Sequence, residues 1–334
     1  MFRRGRLALL ALGIALTVGL SACSTPGQTG ETSGGEVTAT LRDPDPQPIA
    51  TDPQPVLPVT VRGFDGANVT ISDASRIIAV DRFGTLAQTV YALGLGARLV
   101  GRSTAAKLPA ILDRTDVTPG GEAMSVEAVL ALHPTVLLTD TTTGTAAVFE
   151  QLRAAGVAIV YFDPTRTLAG TGPQIQAVAD ALGVHEQGIA LAQRTATEIT
   201  AATAAVPAGK AKPRIAFVYL RGTALTMLAG PGSGADAMIG GLGAEDAGTA
   251  SGLTEPFVTI TSEAMIVARP DILLVMSDGL ASIGGPAGLL KLPGVGQTPA
   301  GRDGRIIDMS DAVLLSFGPN TGRVLTTLVP AVYR

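Results

Sequence analysis

Residues 125–138 of this chain, SVEAVLALHPTVLL, return at 261–274 as TSEAMIVARPDILL, 136 positions later and without a gap. Both copies read as a helix, a turn at proline and a buried strand. Five of the fourteen positions are identical, and the identities include the single acid of each copy, Glu127 and Glu263. A chain that writes this unit twice is constrained to two similar halves. The acids have two readings at this level: solvated first-turn residues favoured by the helix dipole, or paired functional groups placed alike on the two halves.

The surrounding pattern fills in those halves. Strands are expected over residues 76–80, 99–101 and 135–138, with helices over 85–95 and 125–132 between them. A second series begins with a strand over 214–220, continues through helices over 235–241 and 262–268, and reaches a strand over 271–276. Alternation of this kind is α/β, with parallel sheets. Between the series lies an Ala-rich stretch, 173–206, with Ile189, Ala192, Ala196 and Ile199 at helical spacing. The expected organisation is an N-terminal α/β lobe over 59–172, one long connecting helix over 173–206, and a C-terminal α/β lobe over 207–334.

Composition narrows the function classes. Of 334 residues, 46% are hydrophobic and only 16% charged, with a net charge of −4, which excludes a disordered chain and a nucleic-acid binder working through a basic surface. Two histidines, His133 and His185, and one cysteine, Cys23, are too few for a Cys/His zinc cluster, a disulfide scaffold or a Cys/His nucleophile. No Ser-His-Asp order, paired catalytic carboxylates or metal-ligand spacing supports an enzyme. The glycine-rich run 230–240 lacks the Gly-Lys-Ser/Thr ending of a phosphate loop; there Ser233 is expected to cap the following helix and leave backbone N–H groups near a ligand.

The N-terminus reads as an address. Arg3, Arg4 and Arg6 precede an uncharged apolar run, residues 7–20, too short to remain as a spanning helix. Leu20-Ser21-Ala22-Cys23 follows it and resembles the lipobox of bacterial lipoproteins. A signal peptide over 1–22 and a lipidated Cys23 are expected. Residues 24–58 hold seven prolines among Thr, Gly, Ser and Asp and no aromatic residue. The stretch 23–58 is therefore expected to be a disordered tether.

A lipoprotein signal, a tether and two α/β lobes joined by one helix resemble the substrate-binding proteins of bacterial ABC importers, in the class III group that carries haem, siderophores and cobalamin. The phrases at 93–101, 125–138 and 262–274 carry the likeness, which runs from about Ile77 to the end. It implies an extracytoplasmic, lipid-anchored carrier without catalytic activity, whose partners are an ABC permease and its ATPase. It also implies that Glu127 and Glu263 dock onto arginines of that permease.

Tyr219 and Arg221 stand two apart on an expected strand, so they project from one face. A tyrosine phenolate is a hard anionic ligand suited to ferric iron, and a neighbouring guanidinium stabilises that anion; taken alone, a tyrosine near a strand end is more often a half-buried core residue and the arginine beside it a surface charge. The phrase Tyr219-Leu220-Arg221-Gly222, followed by the run from Gly230 to Asp236, is similar to the haem-binding HmuT-type lipoproteins of actinobacteria. That likeness implies haem as the transported ligand and Tyr219 as its iron ligand. A ferric siderophore or cobalamin is the alternative cargo in the same class.

Those relatives place a histidine in a Gly-Gly-His phrase to supply the opposite axial position, where this chain reads Gly120-Gly121-Glu122-Ala123-Met124. Three outcomes stay open: five-coordinate iron on Tyr219 alone, a second ligand from Glu122 or Met124, or a different cargo. Arg102 and Ser103, with Thr104, follow a strand of the first lobe and are further candidates for anion contacts.

Overall fold

The computed structural model describes residues 35–121 and 123–334. The signal peptide, the lipidation site Cys23 and the candidate ligand Glu122 lie outside the described residues.

The first lobe is built on a five-stranded parallel sheet in the order Thr115–Asp116, Leu99–Arg102, Ile77–Val80, Val136–Thr139, Ala158–Tyr161. Its central strand, Ile77–Val80, is buried at every position, as expected for a sheet covered on both faces. The second sheet has seven strands. Along its main path run Val37–Ala39, Ile306–Met309, Ile272–Met276, Arg214–Arg221, Leu225–Ala229 and Phe257–Thr259, while Glu245–Asp246 pairs with the start of Arg214–Arg221. Parallel pairing holds from Val37–Ala39 to Arg214–Arg221; the last two strands of the path are antiparallel. A small hairpin, Val59–Arg62 with Asn68–Ile71, adds to the first lobe.

The sequence repeat is a structural repeat in detail. Ser125 Oγ accepts the Ala128 N–H at 3.2 Å, and Thr261 Oγ1 accepts the Ala264 N–H at 3.1 Å, so both helices, Val126–Ala131 and Ser262–Ala268, are capped alike. One residue before each cap, Met124 and Ile260 are buried in the same clusters as Val129 and Met265, which forms a hydrophobic staple at both starts. His133 and Arg269 both take the left-handed conformation, φ 45°, before their prolines. Arg76 donates to the Leu132 carbonyl at 2.9 Å, and Arg214 to the equivalent Ala268 carbonyl at 3.5 Å, satisfying helix ends that would otherwise be unpaired.

The single connecting helix expected over 173–206 is two. Leu168–Ala181 and His185–Ala204 break at Gly183, whose φ is 69°. Only glycine takes that conformation without cost, and it serves here as the end of the first helix. Leu168–Ala181 packs on the first lobe, and His185–Ala204 packs along the C-terminal helix Thr321–Val332, where Gly322 allows close approach to Glu198.

The expected tether is also corrected over its described part, from residue 35 onward. Val37–Ala39 adds a parallel strand to the edge of the second sheet, and Thr38 Oγ1 donates to buried Asp308 at 2.9 Å. Asn320 and Arg323 then donate to the carbonyls of Pro44 and Asp43. The chain crosses to the first lobe, where the Ile49 N–H reaches the Ala92 carbonyl at 2.7 Å, Asp52 pairs with Arg98 at 2.9 Å, and the Val56 N–H reaches the Gly183 carbonyl at 2.8 Å. A proline-rich segment with little apolar surface is fixed here by its backbone hydrogen bonds and by an open sheet edge that accepts it. Among the described residues, two covalent crossings therefore join the lobes. Where they meet, Gln88 Nε2 donates to the Ala312 carbonyl at 2.8 Å and Thr85 Oγ1 to the Ser316 carbonyl, all buried.

Candidate functional site

A cleft of about 840 Å³ opens between the lobes at the carboxyl ends of both parallel sheets, the position where open α/β sheets bind ligands. In the first lobe the adjacent strands Ile77–Val80 and Val136–Thr139 lead their chains in opposite directions, and each is followed at once by a buried aspartate, Asp81 and Asp140. Arg166 lies between them, 3.4 Å from Asp81 and 3.6 Å from Asp140, with its guanidinium 4.0 Å from the Phe83 ring centroid. Asp81 also accepts the N–H groups of Phe83, Thr85 and Leu86, which fixes the start of the first-lobe helix Thr85–Val90, whose Thr85 and Gln88 contact the second lobe. Burial, then the nearby Asp81, pushes the Asp140 carboxyl above its ordinary value; burial pulls Arg166 down.

Tyr219 and Arg221 share the cleft-facing side of Arg214–Arg221 as strand alternation requires, with Leu220 buried between them on the other face. The Arg221 guanidinium lies over the Tyr219 ring at 4.8 Å from its centroid, and Phe257 meets the ring edge-on at 6.0 Å. Among the described residues the Tyr219 hydroxyl has no protein hydrogen bond. Arg221 is held in turn by Asp311, at 3.2 Å. Asp311 accepts the Asp278 N–H at 2.9 Å, and burial pushes its carboxyl up. Asp278 reaches across the cleft to Lys107 of the first lobe at 2.5 Å. Met227 and Met276 complete the apolar part of the second-lobe wall.

The facing wall is polar. Ser103, Thr104, Thr118, Thr142 and Thr143 line it beside Gly120 and Gly121, together with Arg82 and Lys107. Among the described residues no His, Cys or Met side chain of the first lobe faces the cleft.

Ser103 is on the wall, donating its hydroxyl to the Asp81 carbonyl at 3.0 Å. Arg102 is turned away, committed to the carbonyls of Ser103 and Leu112 at 3.1 and 3.2 Å. Met124 is 5% exposed and packed in the core as the staple residue, so its sulfur is not in the cleft. Ser233 is not a cap: Gly234 holds that position in the helix Ala235–Gly241, and Asp236 takes the N–H groups of Gly232 and Gly234 at 2.8 and 2.9 Å. Ser233 is buried, and its hydroxyl has no protein partner among the described residues. Asp311, Asp278, Lys107 and Arg82 were not singled out from sequence. Each stands in a loop or first turn after a strand, which is the signal that marks it.

Glu127 and Glu263 are exposed, one in the first turn of each repeated helix. The Ser125 N–H donates to the Val117 carbonyl and the Val117 N–H to the Arg102 carbonyl, at 2.9 and 3.0 Å, so the first helix starts at the carboxyl end of its sheet. In the second lobe the Ile260 N–H donates to the Thr226 carbonyl at 3.1 Å, and Thr226 pairs with Leu220, so that helix also starts at the cleft end. Among the described residues no group of three His, Cys, Asp or Glu side chains stands ready to hold a bare metal ion. No helix among them is long and apolar enough to cross a membrane.

No curated protein sequence matches the chain. Solved structures do. The haem-binding protein HmuT is 34% identical, with 90% of this chain and 97% of that chain covered and a TM-score of 0.85. The periplasmic haem-binding protein RhuT from Roseiflexus sp. RS-1, in its apo form, is 36% identical over 78% of this chain and 98% of its own, with a TM-score of 0.73. BhuT, solved in complex with two haems, is 36% identical over 77% and 97%, with a TM-score of 0.69. The periplasmic binding protein model matches residues 82–313, and with it the chain belongs to the periplasmic binding proteins, which act in transport by carrying a ligand rather than by catalysis.

Proposed function

We propose that this chain is an extracytoplasmic receptor that takes ferric haem into the cleft between its lobes and delivers it to an ABC permease. The observation that carries this reading is Tyr219: a phenol on the cleft wall, free of protein hydrogen bonds among the described residues, with a guanidinium over its ring. A phenolate oxygen is a ligand for ferric iron, and Arg221 favours the anionic form that ligates. A cleft of about 840 Å³ with methionine and phenylalanine on one side suits a large, mostly apolar macrocycle with polar edges. The likeness to three haem-binding proteins supports the same cargo.

Tyr219 would hold the iron from the second lobe, facing a first-lobe wall lined by hydroxyls among the described residues. Adding ferric haem to the protein should give a protein-bound Soret band with a tyrosinate charge-transfer band. Tyr219→Phe, which keeps the ring and its contacts, should lose that band and most of the affinity, and Glu122→Ala decides the opposite side: a changed spectrum makes Glu122 a second ligand, an unchanged one leaves the iron held by Tyr219. A Tyr219→Phe protein with the wild-type spectrum removes Tyr219 as ligand; a wild-type protein that leaves haem free, yet binds a ferric siderophore or cobalamin, moves the cargo within the class. Cys23 carries the lipid that holds the receptor at the membrane, with more than one acyl chain needed for stable anchoring.

A further inference from the structure

We infer that the Lys107–Asp278 pair is an exchangeable latch across the cleft, and that Lys107 is the first lobe's receptor for a carboxylate of the cargo. The inference rests on the haem reading and adds what recognises the anionic edge of the ligand. Both side chains line the cleft, one from each lobe. Their side chains are 43% and 63% exposed. An ion pair so open to water contributes little to holding two lobes together, and that task falls to the buried contacts of Thr85 and Gln88 with the 312–316 segment.

The two partners differ in freedom. Asp278 is anchored, since its own N–H is bound by Asp311, which in turn holds Arg221. Lys107 sits at the end of a flexible four-carbon stem and makes no other side-chain bond among the described residues, so it is the member that can change partner. Arg82 lines the same wall, is exposed, and has no acidic partner among the described residues. A dianionic ligand entering between the lobes meets these two cations on the first-lobe side. Tyr219, on the other side, is reserved for the metal. A carboxylate that displaces Asp278 replaces one charge-assisted contact with another, so the exchange adds little cost to binding while selecting for an anion.

The test compares ferric protoporphyrin IX with its dimethyl ester, which keeps the iron and the macrocycle and lacks both carboxylates, by Soret titration of the full protein. Lys107→Gln should weaken binding of the dicarboxylate about tenfold and leave the ester unaffected. Asp278→Asn frees Lys107 in advance and should tighten the dicarboxylate by up to about fivefold, with no change for the ester. If Lys107→Gln weakens both porphyrins equally or neither, or if Asp278→Asn weakens the dicarboxylate, the latch is overturned while the tyrosinate band still upholds the haem reading. A wild-type protein that binds neither porphyrin overturns both.

Discussion

Most of the polar chemistry at the floor of the cleft is structural, and Asp140 is where that can be measured. Its carboxyl accepts the Thr142 N–H and hydroxyl and faces Arg166, yet burial and Asp81 raise its proton affinity in the folded state. A carboxyl with a raised folded value contributes stability that is fully present below its unfolded value, here 3.8, and is lost as pH rises through the folded one. Asn at this position keeps the acceptor oxygen and removes the titration. The difference in melting temperature, Asp140→Asn minus wild type, should therefore be more positive at pH 7 than at pH 4. Thermal melts across that range check the sign, and a difference that grows on acidification would show that the charged carboxylate is the favoured native form. Sequence displayed Tyr219 and Arg221 because alternation along a strand is a local property. It did not display Asp81, Asp140 and Arg166, because their association depends on which strands lie side by side. Met124, one of the open second-ligand candidates, is a core residue for the converse reason: its position one residue before a cap is a packing signal, and the repeat carries Ile260 at the same place.

At the scale of elements, the two lobes were legible because the repeat encodes a whole unit, from staple and cap through proline to buried strand. The joint was not. A continuous Ala-rich pattern conceals one left-handed residue, and Gly183 was the available sign. The same glycine binds the N-terminal segment to the joint. A side chain there would sit 2.6 Å from the Val56 carbonyl oxygen in a backbone region disfavoured for other residues. Gly183→Ala should cost about 2 kcal/mol and lower the unfolding midpoint by a few degrees, with added protease sensitivity near residues 50–58. An unchanged midpoint would mean that the segment yields and contributes nothing there. Composition gives 24–58 too little apolar surface for a core of its own, yet Ala39 is buried in the second lobe's core and Val37, Leu41, Ile49 and Leu57 pack against the cores of the two lobes. What composition does not encode is that a neighbouring sheet edge and a row of carbonyl and N–H partners can order such a segment without one.

At the scale of the molecule, two crossings and a buried contact at the cleft floor tie the described parts of the lobes together, and we propose that delivery begins with docking of a nearly rigid body. Glu127 and Glu263 are suited to that. The repeat gives them equivalent places, and both helices start at the carboxyl ends of their sheets, which puts one exposed acid on each lobe at the cleft end. The helix dipole stabilises an acid there without any partner, so local energetics alone do not decide their role. A permease with one basic site for each lobe would read the pair as a two-point register that sets orientation and encounter rate more than affinity for the cargo. Exchanging both for Lys should leave the haem spectrum and affinity unchanged, abolish permease-dependent uptake and remove stimulation of the ATPase in reconstituted vesicles. It should also lower the melting temperature only slightly, because loss of a favourable dipole contact is worth about 0.3–1 kcal/mol at each exposed helix start. Normal uptake by the double variant would make both acids plain first-turn residues. Loss of haem binding would assign them to the fold or the cleft instead, and the single variants would then show which lobe is responsible.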